Sequence, residues 1–193
     1  MEHFYTIQGE GRHSGRAAYF VRIAGCDVGC VWCDVKDSWD AEIHPLMSLE
    51  SIVEEVLVSK TDFCVITGGE PALYDLTTLS DMLTSKGIET AIETSGCYPL
   101  RGNIDWYCFS PKKFKAPHAE AYQKADELKV VISHISDFDW AETHAQKVSK
   151  DCLLYLQPEW SKQERFLPMI IEYVKNHPRW KVSLQTHKFM NIP

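Results

Sequence analysis

Three cysteines near the start of the chain constrain it more than any other feature. Cys26, Cys30 and Cys33 stand in the run GCDVGCVWCD, with the spacing CxxxCxxC. Thiolates in proteins select iron–sulfur clusters or zinc, and the interleaved Gly25 and Gly29 indicate a tight loop rather than three packed structural thiols. The spacing predicts that the thiolates hold three corners of a 4Fe-4S cluster. The fourth iron then keeps an exchangeable position, which is a property of catalytic metal sites.

A zinc knuckle is the alternative for these cysteines. Such a site needs a fourth Cys or His at the usual pair spacing. The next histidine, His44, lies beyond an acidic loop that contains Trp39. We therefore interpret the motif as a cluster site, with a zinc protein or a non-catalytic iron–sulfur electron carrier as the more distant alternatives.

Composition indicates a globular chain and excludes several classes of protein. The 193 residues suit one domain, 1–193, and 45% are hydrophobic and 24% charged. No apolar run has membrane length and no signal-peptide pattern is visible, so we expect a cytoplasmic protein without a membrane partner. The net charge of −7 argues against a nucleic-acid partner, because binding a phosphate backbone needs a concentrated basic patch.

The other four cysteines, Cys64, Cys97, Cys108 and Cys152, lie in or beside apolar runs. We expect them to be inert core thiols. A total of seven cysteines is odd, which suits a secreted disulfide framework poorly, whereas a reducing compartment leaves thiols free to serve a metal.

Short apolar runs alternate with helical patterns, which indicates repeated β–α units and a mostly parallel sheet. Apolar stripes predict three helices: one that follows a Ser48 cap, one that stops at Gly87 and one that is ended by Pro178. Residues 112–117 are the best candidate for a long active-site loop. The predicted strands are 18–23, 63–67, 90–93, 106–109, 128–132, 153–156 and 181–184.

Five polar motifs follow predicted strands: TGGEP, ETSG, SPK, QPE and QTHK. Any one of them could be an ordinary turn. Sheets of parallel strands, however, gather their sites at the carboxyl ends of the strands. We therefore expect the five motifs to converge on one site.

The cysteine loop and a downstream GGEP, at Gly68, Gly69, Glu70 and Pro71, together resemble the radical S-adenosylmethionine (SAM) superfamily. Further segments, which run from the first residues to the last, are similar to the 7-carboxy-7-deazaguanine synthase family. The resemblance implies an α/β fold, a compact partial (β/α)6 barrel with mostly parallel strands, since a full eight-unit barrel usually takes about 250 residues. The matching segments are FYTIQGEG at 4–11, RIAGC at 22–26, TGGEP at 67–71, ETSG at 93–96, SPK at 110–112, LQPE at 156–159 and QTHKFMNIP at 185–193.

The resemblance also implies a reaction, cofactors and site residues. The family is a lyase of the 7-deazapurine (queuosine) pathway that converts 6-carboxy-5,6,7,8-tetrahydropterin to 7-carboxy-7-deazaguanine with loss of ammonia, using a 4Fe-4S cluster and SAM. The implied cluster ligands are Cys26, Cys30 and Cys33. The implied SAM-binding residues are Trp32, Asp34, Gly69, Glu70, Glu93, Ser110, Pro111, Lys112, Gln157, Pro158, Glu159 and Trp160. The implied substrate-binding residues are Ile7, Gln8, Gly9, Glu10, Arg22, Thr67 and Pro193.

Three of these implied contacts also have a structural alternative. Arg22 offers a fork for bidentate pairing with the substrate carboxylate, but an arginine in the apolar run FVRIAG is also typical of a buried salt bridge. The carboxylate of Pro193 could accept hydrogen bonds from an aminopyrimidinone edge, whereas chain ends are usually frayed. Lys112 could equally be a solvated lysine.

One position departs from the family pattern. Family members that bind Mg2+ beside the substrate have threonine or serine two residues after the last cluster cysteine, and this chain has Val35 there. Valine offers no oxygen to a hard cation, although Asp34, Asp37 or Ser38 could compensate. We therefore do not expect a Mg2+ requirement.

A glycyl-radical-enzyme activase, which is also a small radical SAM protein, is the nearer alternative function. Its substrate is a protein backbone rather than a pterin, and the segments IQGEG and QTHKFMNIP speak against it. The family resemblance further implies a homodimer and an electron donor such as flavodoxin or ferredoxin.

Overall fold

The computed structural model describes all residues from 1 to 193, and its framework is one eight-stranded sheet. The strands lie side by side in chain order; the first is antiparallel to the second, and all later neighbours are parallel. All seven predicted strands are confirmed, within an α/β fold of mostly parallel strands. The strands are β1 (Glu2–Ile7), β2 (Ala17–Ile23), β3 (Phe63–Gly68), β4 (Glu89–Thr94), β5 (Trp106–Phe109), β6 (Glu127–Ile132), β7 (Leu153–Pro158) and β8 (Trp180–Val182).

Strand β1 is the one strand that the apolar pattern does not predict. It pairs with β2 in a register that sets Glu2 opposite Arg22 and Ile7 opposite Ala17. As an edge strand it has only half-buried or exposed side chains. Such a strand shows no continuous apolar run, so the apolar pattern does not reveal it.

Six α-helices connect or follow the strands: α1 (Leu49–Val58), α2 (Thr77–Ser85), α3 (Ala119–Lys124), α4 (Asp137–Ala145), α5 (Gln163–Asn176) and α6 (Thr186–Met190). Helices α1, α2 and α5 confirm the three predicted stripes, and the Ser51 N–H donates to the Ser48 hydroxyl at 3.1 Å, as a cap should. Helices α3 and α6 are too short for a clear stripe, and α4 carries few apolar residues. None of the six helices has both the length and the apolar composition that a membrane span requires.

The two faces of the sheet have different chemistry because side chains alternate along each strand. One face packs its apolar residues, such as Ile66, Ile92 and Leu156, into the main core beneath the helices. The inner face carries a small apolar cluster near the amino ends of the strands and polar residues towards their carboxyl ends. The helices therefore stabilise one face and leave the other to form a site.

The segment after β1 crosses this inner face. The Gly11 N–H donates to the Ser183 hydroxyl, and the Thr186 N–H donates to the Gly9 carbonyl, each at 3.0 Å. Strands β1 and β8 are the two edges of the sheet and do not pair with each other. The sheet is thus an open, partial barrel whose gap is bridged by the N-terminal segment.

Candidate active site

The carboxyl ends of the parallel strands surround a cavity of about 630 Å³. All five motifs that follow predicted strands contribute to its wall. Gly69 comes after β3, Ser95 after β4, Ser110 after β5, Glu159 after β7 and Gln185 after β8. The parallel arrangement brings these distant motifs to one edge of the sheet, as the sequence predicts.

Cys26, Cys30 and Cys33 line one side of this large cavity. Their loop turns back on itself, because the Cys33 N–H donates to the Cys30 carbonyl at 3.1 Å. No three His, Cys, Asp or Glu side chains converge on one point as in a single-ion site. The three cysteines fit a cluster because of their donor chemistry. Three cysteine sulfurs that line one open cavity can each ligate one iron of an iron–sulfur cluster.

Burial raises the pKa of the Cys30 thiol to about 11, and it also raises the pKa of Cys26. A thiolate is the form that binds metal, so these sulfurs need a compensating cation to deprotonate, and a bound metal supplies one. Cys64, Cys108 and Cys152 are buried and line neither the large cavity nor the smaller one described below.

Cys97 differs from those three buried thiols. It is only partly buried, and its thiol donates to the Lys115 carbonyl at 3.4 Å. The expectation of a core thiol is therefore wrong for Cys97, because its side chain lies in the loop after β4, outside the sheet, and is only half-buried.

The GGEP turn packs directly against the start of the cysteine loop. The Gly69 N–H donates to the Ile23 carbonyl at 2.8 Å, and the Glu70 N–H donates to the Gly25 carbonyl at 2.9 Å. A Cβ on Gly69 would lie 2.3 Å from the Gly25 carbonyl oxygen, and Gly68 has a φ of 118°. Both positions require glycine for these reasons, so the pair places the cysteine loop as well as lining the cavity.

Glu70 is 1% exposed, and protein donors saturate its carboxylate. One oxygen accepts from the Ala72 N–H at 3.0 Å and from the Thr94 hydroxyl. The second oxygen accepts from the N–H of Ser95 at 2.8 Å and from the hydroxyl of the same residue. The side chain ties the turn after β3 to the end of β4, so any contact of Glu70 with SAM is left to its backbone.

The substitution Glu70→Gln should lower the free energy of unfolding by roughly 2 kcal/mol, because an amide nitrogen cannot accept these hydrogen bonds and a buried donor loses its partner. Urea denaturation of the apoprotein measures this change. Glu172→Gln is the matched control, since Glu172 is exposed and pairs only with Lys175. Equal losses in the two variants would contradict the assigned role.

All of the implied SAM-binding residues except Pro111 line the large cavity; Pro111 is buried behind its neighbours. Lys112 donates to the Ser110 hydroxyl and lies 5.5 Å from the centre of the Trp32 ring. Burial lowers the pKa of Lys112. Lys112 is therefore part of the cavity wall rather than a solvated lysine.

A second cavity of about 150 Å³ adjoins the large one. The residues implied for substrate binding all line this smaller cavity: Ile7, Gln8, Gly9, Glu10, Arg22, Thr67 and Pro193. The two cavities share a wall. It is formed by Glu10, Asp34, Val35, Thr67, Gly68, Glu93 and Gln185, which line both.

Arg22 forms a salt bridge that is only partly buried, and it also lines the smaller cavity. Its Nη1 donates to Glu2 Oε1 at 2.9 Å, and its guanidinium carbon lies 5.2 Å from the centre of the Phe4 ring. The side chain also lines the smaller cavity, and its Nη2 has no protein partner. The salt bridge therefore leaves part of the fork available to a ligand.

No sequence motif includes Lys129, a buried lysine that contacts two residues of the shared wall. Lys129 lines the large cavity with 4% of its side chain exposed, and it contacts Glu10 and Glu93. The available signal was a lysine inside the apolar strand run LKVVI, where alternation points it to the same face as Val131.

The C-terminal segment closes the two cavities on one side. Lys188 in α6 lies 2.8 Å from an Asp34 oxygen of the cysteine loop and 5.1 Å from the centre of the Trp160 ring. The Pro193 backbone oxygen accepts from the Thr6 hydroxyl at 3.4 Å. The segment therefore joins the cysteine loop to β1.

The fold and the site define a radical SAM protein: residues 20–105 match the model of the Radical SAM superfamily. The 7-carboxy-7-deazaguanine synthase of Flavobacterium psychrophilum is 56% identical over 194 residues, covering 100% of this chain and 91% of the relative. Its counterpart in Synechocystis is 46% identical, covering 99% and 91%. The chain belongs to the 7-carboxy-7-deazaguanine synthase family.

A solved structure agrees with this assignment. The crystal structure of QueE from Escherichia coli is 30% identical in sequence and superposes with a TM-score of 0.80. The match covers 95% of this chain and 91% of that chain. The likeness therefore extends over nearly the whole chain.

Proposed function

We propose that this protein converts 6-carboxy-5,6,7,8-tetrahydropterin to 7-carboxy-7-deazaguanine with loss of ammonia. One observation carries the proposal: the residues implied for the cofactors and those implied for the substrate line two cavities that share a wall. Such an arrangement would set a reactive cofactor beside a small polar ring. The full-length similarity to named 7-carboxy-7-deazaguanine synthases supports the same reaction.

The radical SAM family uses a 4Fe-4S cluster and SAM. When bound, the cluster and SAM supply a carbon radical that abstracts a hydrogen atom. Cys26, Cys30 and Cys33 would hold the cluster. The residues around Trp160 and Ser110, which line the same cavity, would hold SAM.

The chain's own residues bind and orient the substrate in the smaller cavity. The free part of the Arg22 fork would pair with the substrate carboxylate, which forms charge-assisted hydrogen bonds. The Glu10 carboxylate and nearby backbone groups would accept from the N–H groups of the ring. The shared wall would then present the reacting carbon to the large cavity in a fixed orientation.

Anaerobic reconstitution with iron and sulfide, followed by dithionite, SAM and the tetrahydropterin, tests the proposal. Formation of 7-carboxy-7-deazaguanine is the expected result. A glycyl-radical-enzyme activase would cleave SAM but ignore pterins, and an electron carrier or zinc protein would not cleave SAM at all. Either outcome would overturn the proposed reaction.

Mg2+ is expected to change turnover little. The Val35 side chain lines both cavities and has no oxygen, the Ser38 hydroxyl donates to the Val35 carbonyl at 2.6 Å, and Asp37 lies outside both cavities. Of the three residues that could compensate for Val35, only Asp34 is left as a hard ligand at the shared wall. Titrating Mg2+ into chelator-treated enzyme measures the effect, and a strong saturable requirement would show that Asp34, water or the substrate completes a site.

We further infer a cytoplasmic homodimer that receives electrons from a flavodoxin or ferredoxin. These three properties follow from the family resemblance and from the reducing environment that thiol ligands need. Sedimentation analysis and reduction assays with each donor test them separately.

A further inference from the structure

A buried lysine of the large cavity holds two carboxylates of the wall that the two cavities share. Lys129 lies on the inner face of β6, and its Nζ donates to Glu10 Oε2 and, at 3.0 Å, to Glu93 Oε2. None of the motifs that carry the family resemblance includes Lys129. Its two partners line both cavities, so the lysine acts on the boundary where substrate and cofactor would meet.

Each of the two carboxylates is held by the lysine on one oxygen and by an amide on the other. Glu10 Oε1 accepts from Gln185 Nε2 at 2.9 Å, and Glu93 Oε1 accepts from Gln8 Nε2 at 2.9 Å. The partners come from the segments after β1 and β8 and from the end of β4. Lys129 is the one cation that joins these segments.

The lysine controls the charge of the Glu10 carboxylate. Burial alone would raise the pKa of Glu10, but the charge and the hydrogen bond of Lys129 lower it to about 2. Burial alone would lower the pKa of Lys129, but surrounding anionic groups, Glu10 and Glu93 among them, raise it well above its ordinary value. Lys129 therefore keeps a positive charge and Glu10 a negative one in neutral solution.

Other titratable groups face this cluster from neighbouring elements, but none of them bonds to Glu10 or Glu93. Burial raises the pKa of Glu127 and Cys108 and lowers the pKa of Lys112 and His187. Arg22 lines the smaller cavity, and Asp34 of the shared wall pairs with Lys188. Without Lys129, the two carboxylates would have no cation in contact, and like charges so close disfavour double ionisation.

We propose that Lys129 is a positioning residue that fixes Glu10 and Glu93 as anionic hydrogen-bond acceptors and so selects a ring that presents N–H donors to the shared wall. A carboxylic acid would instead present an O–H donor towards a ring N–H, which is unfavourable. The identity of the ring rests on the proposed function. The ionisation of the carboxylates does not.

The test compares Lys129→Met, Lys129→Arg and the control Lys181→Met, since Lys181 is exposed on β8 and lines neither cavity. Lys129→Met should raise the KM for the tetrahydropterin at least tenfold while cluster content stays unchanged. Its kcat/KM should also fall as pH decreases from 8 to 6, because loss of the cation raises the depressed pKa of Glu10 and the carboxylate then protonates at higher pH. Lys129→Arg should restore the wild-type pH profile.

Infrared spectroscopy gives a readout that needs no turnover. Lys129→Met at pH 6 should show the C=O band of a protonated carboxylic acid, which a further Glu10→Gln or Glu93→Gln change removes. The wild type and Lys129→Arg should lack this band. If the wild type does not turn over the pterin, the proposed function fails, yet the infrared band still tests the role of Lys129.

Two results would overturn the proposal. One is an unchanged KM and pH profile in Lys129→Met, and the other is a pH profile in Lys129→Arg that is shifted as in Lys129→Met. If Lys129→Met does not fold, the double variant Lys129→Gln/Glu93→Gln removes one cation and one anion together. The same rise in KM and the same pH shift are expected of it, and their absence would equally contradict the role.

Discussion

Replacing any one of Cys26, Cys30 or Cys33 by alanine is expected to abolish both the brown chromophore and SAM cleavage. The three sulfurs line one side of the large cavity, and no fourth cysteine lines it. A cubane that loses one of three protein thiolates is not retained, because its remaining ligands are too few. Iron and sulfide content, the visible spectrum and SAM cleavage after anaerobic reconstitution measure the effect.

Cys64→Ala and Cys152→Ala are the matched controls. Both residues are buried, and burial raises the pKa of each thiol to about 12. Neither lines a cavity, so both variants should keep the chromophore and SAM cleavage and lose only about 1 kcal/mol of stability. A triple variant of the three motif cysteines that still bound a full complement of iron would refute the assignment.

Arg22→Ala is expected to raise the KM for the tetrahydropterin roughly 10- to 100-fold with a smaller effect on kcat. Hydrogen bonds to a charged group contribute about 1.5–3 kcal/mol, and every 1.4 kcal/mol is tenfold in affinity. A contact made equally in the ground state and the transition state changes KM rather than kcat. Steady-state kinetics with varied pterin at saturating SAM measures both constants.

The control for Arg22 is Glu2→Gln. This change removes the partner of the salt bridge but leaves the guanidinium in the smaller cavity. It should alter KM less than about twofold, because a half-exposed ion pair contributes little. If Glu2→Gln raised KM as much as Arg22→Ala does, Arg22 would act through the salt bridge and not through the substrate.

Much of the site could be predicted from the sequence because the relevant signals are local. The spacing of Cys26, Cys30 and Cys33 indicates a cluster site. The alternation of β and α patterns locates the strand ends, and the polar motifs follow those ends. Parallel pairing then brings those ends together without further information. The same logic fails for β1, since an antiparallel edge strand carries no continuous apolar run.

The roles of individual charged groups depended on the tertiary structure. Glu70 belongs to a sequence motif, yet its carboxylate accepts hydrogen bonds from protein donors at the end of β4 and has none left to accept from a ligand. Arg22 forms a salt bridge with Glu2 and also faces the smaller cavity. The hydrophobic period of the strand does not show which of these contacts its guanidinium makes. Each result depends on which side chains surround a carboxylate or guanidinium, and that is decided by packing.

The sequence by itself determined the class of chemistry, the parallel α/β framework and the edge of the sheet where the site lies, because ligand type, spacing and hydrophobic period act within a few residues. Only the tertiary structure revealed the division into two cavities and the lysine that holds two carboxylates of their shared wall. Glu10 and Lys129 are 119 positions apart, and they meet because the segment after β1 crosses the inner face of the open barrel. Contacts of that kind depend on the closure of the whole sheet and leave no local pattern.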